Sequence, residues 1–353
     1  MISSTPRGAI EPFALLRRMV EIPSLSGQES ALAEFLVQIM SALGFRAQID
    51  EAGNAVGVIG DGPQEIVLLG HMDTVPGHPP VRMENGKLFG RGSVDAKGPL
   101  ATFIMAAVRA QPLAGKRVIV VGATEEEAAS SKGARYVATR LRPDYCIIGE
   151  PSGTRGITLG YKGRLVLAMD AEATARHSAA REGTVLEDGV EFWNALRKWA
   201  DSYNAGKAMF ERLDPALREI GSRHDGLRES IHLKASIRIP LGLTPDSVQA
   251  EIERLRPESG RLAFWGGDPP FRTEKNTPLV RALLKAIRET SAEPVFKLKS
   301  GTSDMNVVGP AWNCPIVAYG PGDSSLDHTP DEHLDLAEYD QAIAILARAL
   351  ALL

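Results

Sequence analysis

Apolar positions recur with a helical period over residues 11–22 and 29–43. In the second stretch Leu32, Phe35, Leu36, Ile39, Met40 and Leu43 share one face, and Gly44 ends it. The pattern then shortens to the apolar runs Val56–Gly60 and Ile66–Gly70, which predict strands. Pro99 opens an apolar helix reaching Ala110, because proline is tolerated in a first helical turn. Val118–Val121 and Tyr145–Ile148 predict two further strands, with a helix over Lys132–Leu141 between them. Strand and helix alternate, so the pattern predicts an α/β fold with a largely parallel sheet flanked by helices.

Past Glu150 the pattern changes. Gly163–Met169 predicts a strand with mixed faces, Val185–Tyr203 a long helix, and His232–Ile239 a polar strand. Thr244 caps a helix that Pro245 opens and that runs to Leu255. Arg261–Trp265 closes the set, and one strand of an expected four is not visible in the pattern. This order fits a small ferredoxin-like α+β domain. Helices over 277–290 and 335–352 and a strand over Cys314–Tyr319 resume the first pattern. The predicted organisation is one domain from 1–157 and 268–353, interrupted by a second at 158–267. No internal repeat is found.

A length of 353 residues agrees with about two domains. The net charge of −4 gives no bulk attraction for nucleic acid. No apolar run approaches the roughly 18 residues of a membrane span. Met1–Gly8 lacks an apolar signal core, which argues against secretion. Cys146 and Cys314 sit beside strand-like residues and are expected as two buried thiols, in keeping with a reducing cytoplasm.

Chemistry enters at the strand ends. His71-Met-Asp73 follows Ile66–Gly70, Glu126 and Glu127 follow the run Val118–Thr124, and Glu150 follows Cys146–Gly149. Asp95 lies in the glycine-rich stretch Gly90–Gly98, and His328 follows Tyr319-Gly-Pro-Gly322. Taken singly these motifs are ordinary: a loop histidine, a glycine turn, a pair of solvated acids. Their recurrence is not, because open α/β sheets place ligands beyond the carboxyl ends of strands. Histidine and carboxylates without cysteine suit zinc, cobalt or manganese, and one adjacent carboxylate is left to act as a base. The residues read as a two-metal hydrolase. His333 is expected at a helix start, and His78, His224 and His232 as surface or structural residues.

Seven stretches resemble one family in order along the chain. They are Gly70-His-Met-Asp-Thr-Val-Pro76, Gly90–Gly98, Thr124-Glu-Glu-Glu127, Gly149-Glu-Pro-Ser152, Arg176-His-Ser-Ala179, Gly301-Thr-Ser-Asp304 and His328-Thr-Pro-Asp-Glu332. The family is that of the binuclear metallopeptidases, which includes acetylornithine deacetylase, succinyl-diaminopimelate desuccinylase and carboxypeptidase-G-like enzymes. The resemblance implies two divalent ions, zinc or cobalt, held by His71, Asp95, Glu127, Glu150 and His328, with Asp95 bridging. It implies that Asp73 orients His71, that Glu126 is the general base, and that the peptide bond after Asp95 is cis. The inserted domain would be a lid that also forms a homodimer. His177 would reach the substrate, often in the partner subunit's site, and Gly301 would line it. Arg238 stands at a lid position suited to a carboxylate or to a structural ion pair.

Within the family two motifs depart from the common pattern. Asp95-Ala-Lys-Gly-Pro99 stands where many relatives have Met-Lys-Gly-Gly after the aspartate. Thr302-Ser-Asp-Met-Asn306 stands where many have Thr-Ser-Asp-Ala-Arg. With the short chain, these resemble the branch that releases lysine, sometimes ornithine, from the terminal glutamate side chain of an amino-group carrier protein in lysine or arginine biosynthesis. The alternatives in the same chemistry are a small-molecule N-acyl amino acid deacylase and a dipeptidase or carboxypeptidase. A binding module without catalysis is disfavoured, since all ligand and base positions are filled.

Overall fold

In the computed structural model, which describes residues 10–175 and 183–353, four parallel strands form the centre of the main sheet. In spatial order they are Lys116–Ala123, Gln64–His71, Tyr145–Ile148 and Ile316–Ala318. Ala55–Gly60 adds to one side and Gly156–Tyr161 to the other, both antiparallel. The sheet is therefore parallel at its centre and antiparallel at its flanks.

The central strands read as unbroken apolar runs because both sheet faces are covered. Side chains alternate across a strand. Ile66, Leu68, Val118, Val120 and Ile147 join one core cluster, together with helices Pro12–Glu21, Lys97–Arg109, Pro278–Arg288 and Leu336–Leu352. Val67, Leu69, Ile119 and Val121 alternate with them and are buried as well. Helix Lys132–Arg140, which packs on the strand Lys116–Ala123 and on helix Met305–Trp312, belongs to the same unit.

The chain divides into two compact units. The larger takes the chain up to Gly160, Thr273–Leu298 and Ser303–Leu353. The smaller takes Tyr161–Arg272 and the short segment Lys299–Thr302. The segment 299–302 thus groups with the inserted unit, although the sequence pattern assigns it to the returning one.

The inserted unit carries a four-stranded antiparallel sheet in the order Asp214–His224, Arg228–Ile239, Gly163–Thr174, Gly260–Asp268. With helices Val185–Asn204 and Pro245–Arg254 the element order is β-α-β-β-α-β, the ferredoxin-like arrangement. Arg228–Ile239 alternates strictly, and Ile231, Leu233, Ala235, Ile237 and Ile239 enter the unit's own core beneath the helices. Thr244 caps the second helix by accepting from the Ser247 amide, and Pro245 follows it at the first position.

Candidate metal centre

Parallel strands end on one edge of a sheet, and each of the four here delivers predicted residues there. The strand Gln64–His71 ends on His71 itself, and Lys116–Ala123 leads within four residues to Glu126 and Glu127. Tyr145–Ile148 leads to Glu150, and Ile316–Ala318 leads on to His328. Asp95 sits just before helix Lys97–Arg109, in a loop that Gly92 turns at φ +83°. A side chain at Gly92 would also strike Thr74 at 2.8 Å, so glycine is needed there twice over. The Asp95–Ala96 peptide bond is cis, as the resemblance implies.

These side chains converge. His71, Asp95 and Glu127 each offer a ligand atom, and those atoms lie within 4.8 Å of one another. His71 Nε2 lies 3.3 Å from Asp95 Oδ1. His328 Nε2 lies 3.1 Å from Asp95 Oδ2 and 2.8 Å from Glu127 Oε1. Asp95 therefore places one carboxylate oxygen against each imidazole. Glu126 Oε2 is 4.0 Å from His71 Nε2. Glu150 is buried and close enough for its charge to act on Glu126.

The backbone beneath Glu126 and Glu127 is fixed by buried acids. The Glu125 amide donates to Glu29 at 3.0 Å, the Glu126 amide to Asp73 Oδ1 at 3.0 Å, and the Glu127 amide to Asp73 Oδ2 at 2.9 Å. Ser26 donates to Asp73 Oδ2 as well, at 2.7 Å. Asp73 also meets the expected partner: His71 Nδ1 lies 3.0 Å from its carbonyl oxygen and 3.4 Å from its Oδ1. One aspartate thus sets both the imidazole and the turn that presents the two glutamates.

Electrostatics follow from crowding acids in a buried place. Burial raises the Glu126 carboxyl well above its ordinary value, and the charges of Glu150, Asp304 and Glu127 push the same way against His71. Burial and the Asp95 charge raise Glu127 too. Burial also disfavours ionised Asp95, but hydrogen bonds from His328 and His71 prevail and hold it far below the usual range. His328 is pushed up to about 10 by its bonds to Asp95 and Glu127. The donor set of imidazole nitrogen and carboxylate oxygen, without thiolate, fits a divalent ion of the zinc or cobalt kind.

The remaining predicted residues fall elsewhere. His177 lies outside the described residues. Arg238 and Gly301 belong to the inserted unit, where the Arg238 guanidinium donates to the Thr302 hydroxyl. His333 starts the short strand His333–Asp335 rather than a helix; Asp335 is the helix cap. The pairing of that strand with Lys87–Phe89 takes precedence over the helical signal. Both cysteines are free, Cys146 buried and Cys314 only partly so, since Cys314 precedes the strand Ile316–Ala318 instead of lying in it.

Three acids escaped the sequence reading. Glu29 belongs to no motif and looks like an ordinary acid at a helix start. Asp304 and Glu332 close two of the matched motifs, which was the available signal.

The family model for "Peptidase family M20/M25/M40" matches residues 67–352. The chain belongs to this family. Among members of the M20/M25/M40 family, the chain is 51% identical over 345 residues to a "[LysW]-lysine hydrolase" of Deinococcus radiodurans, covering 95% of each. It is 39% identical over 342 residues to a "Putative [LysW]-lysine/[LysW]-ornithine hydrolase" of Pyrococcus furiosus, covering 96% of each. Among solved structures it is similar to the M20 family metallo-carboxypeptidase Sso-CP2 of Sulfolobus solfataricus, with a TM-score of 0.82 and 18% identity over 98% of this chain and 99% of the other. At that identity the likeness speaks for the fold alone.

Proposed function

We propose that this chain is a metal-dependent amide hydrolase that releases lysine, or ornithine, from the glutamate side chain of the amino-group carrier protein LysW. The observation that carries this reading is the 51% identity with a [LysW]-lysine hydrolase along nearly the whole length of both chains. The convergence of His71, Asp95 and Glu127 supports the metal dependence.

In the finer reading His71, Asp95, Glu127, Glu150 and His328 would hold two divalent ions, and Asp95 would serve both. Its two oxygens already face the two histidines, which supports the sharing. When bound, such ions polarise a carbonyl and make water acidic at neutral pH. The protein's own residues do the rest. Glu126 takes a proton from water as the water oxygen adds to the amide carbonyl carbon. The C–N bond then breaks, and Glu126 returns the proton to the leaving α-amino nitrogen of lysine. Burial and neighbouring acids favour the protonated form of Glu126, so cationic charge in the site is what readies it as a base. Asp73 holds His71 and the 126–127 turn in register throughout. In this reading the inserted unit serves as lid and dimer surface, His177, Arg238 and Gly301 bind substrate, and the enzyme works in the cytoplasm.

Chelation tests the metal dependence. Dialysis against a strong chelator is expected to abolish lysine release from the loaded carrier and to lower Tm, since a ligand that binds only the native state stabilises it. Zinc or cobalt should restore both, with elemental analysis approaching two ions per chain. Unchanged lysine release by the ion-stripped chain would refute the reading.

A further inference from the structure

Arg91 and Glu332 form a buried ion pair, Nη1 to Oε2 at 2.7 Å, with side chains only 9% and 0% exposed. Both ends of the pair reach into the backbone of the metal centre. Glu332 Oε1 accepts from the Val94 amide at 3.0 Å and from the Asp95 amide at 3.1 Å. The Gly90 amide donates to the Glu332 carbonyl at 3.1 Å, so this residue holds the 90–95 loop at both ends. The Arg91 fork donates in turn to the carbonyls of Gly77 at 3.1 Å, Thr329 at 3.2 Å and His328 at 3.5 Å. One pair of side chains therefore joins the backbone that carries Asp95 to the backbone that carries His328. These stretches lie more than 200 positions apart in sequence, yet their side chains meet at 3.1 Å.

A buried ion pair is weak evidence for stability, because desolvation offsets much of the attraction. Here each partner has a directional task that a hydrophobic replacement could not perform. A carboxylate offers one oxygen to two adjacent amides and the other to a guanidinium. A guanidinium holds a carboxylate and several carbonyls in one plane, which an ammonium cannot do.

We propose that Arg91 and Glu332 are positioning residues that set the separation of Asp95 from His328, and through it ion affinity and turnover. Neither belongs to the cluster of ligand atoms formed by His71, Asp95 and Glu127. The inference rests on the ligand assignment above. Outer partners of metal ligands commonly change metal affinity or activity by about 10–100-fold when altered.

Glu332→Gln keeps an acceptor for the two amides but turns an NH2 group toward Arg91, donor against donor. Arg91→Lys keeps the charge and loses the fork. The full chain, ion-stripped, is titrated with zinc against a chromophoric chelator, and lysine release is then measured at saturating zinc. Each variant is expected to bind zinc about 10–100-fold more weakly. At saturating zinc kcat should fall while KM changes little. The double variant should lose no more than the worse single one, because the two residues act as a unit. If the variants melt earlier in the ion-stripped state but match the parent in zinc affinity and kcat, the pair is merely structural and the inference falls. A raised KM with parental kcat overturns it as well. Should Glu332→Gln not fold, Arg91→Lys carries the same readouts. A parent chain that binds no zinc would instead overturn the ligand assignment itself, and this inference with it.

Discussion

Glu126→Gln is expected to reduce lysine release by about 10²–10⁴-fold, the usual weight of general acid–base catalysis, while bound ion content stays at the parental level. The two glutamates are neighbours in sequence but not in task. Glu127 belongs to the cluster of three ligand atoms and accepts from His328 at 2.8 Å, whereas Glu126 lies 4.0 Å from His71 and outside that cluster. Glutamine keeps the shape of Glu126 and its backbone bond to Asp73 but cannot take a proton. Glu127→Gln should give the complementary result, with ion lost along with activity. Inductively coupled plasma analysis alongside a turnover assay separates the two. If Glu126→Gln lost ion and Glu127→Gln kept it, the roles would be reversed.

Asp95→Asn carries the other large effect. Among the described residues Asp95 is the one carboxylate that touches both imidazoles, at 3.3 and 3.1 Å. In the proposed two-ion reading, removing its charge would leave Glu127 and Glu150 to hold two dications with two charges in place of three. Since altering a residue that only orients a ligand costs about 10–100-fold in affinity, loss of a shared ligand should cost at least ~100-fold. Titration calorimetry on the ion-stripped chain should show both binding events weakened together. Weakening of one event with the other at parental affinity would show that Asp95 serves a single ion.

Much of this architecture was legible because the responsible signal is local. The central strands announce themselves as apolar runs, and helix Pro278–Arg288 by strong periodicity, with Leu279, Val280, Leu283 and Ile287 buried on one face. The strand Asp214–His224 did not, since nearly all its positions are half or fully exposed and its pairing with Arg228–Ile239 is a tertiary fact. Helix Met305–Trp312 was hidden for another reason: it is short and contains Pro310. The same division holds in the site. His71, Asp95, Glu126, Glu127, Glu150 and His328 stand out as candidates because ligand-type residues recur after apolar runs or in a glycine-rich loop. Glu29 does not, and Glu332, although it closes a matched motif, could be given no task, because each acts by accepting amides that only the folded chain brings near. The like-charge action of Asp304 on Glu126 likewise appears only once the returning segment has closed on the sheet edge.

The substrate is the centre of the account, and a side-by-side assay reaches it most directly. Lysine release from the loaded carrier protein would be compared with deacylation of acetyl-lysine and acetylornithine, on one preparation with the same ions bound. The account predicts a kcat/KM for the carrier conjugate well above that for either small amide, because binding energy from the protein part of the substrate is available to the transition state. A small acetyl substrate whose kcat/KM equalled or exceeded that of the conjugate would contradict it and make the enzyme a small-molecule deacylase.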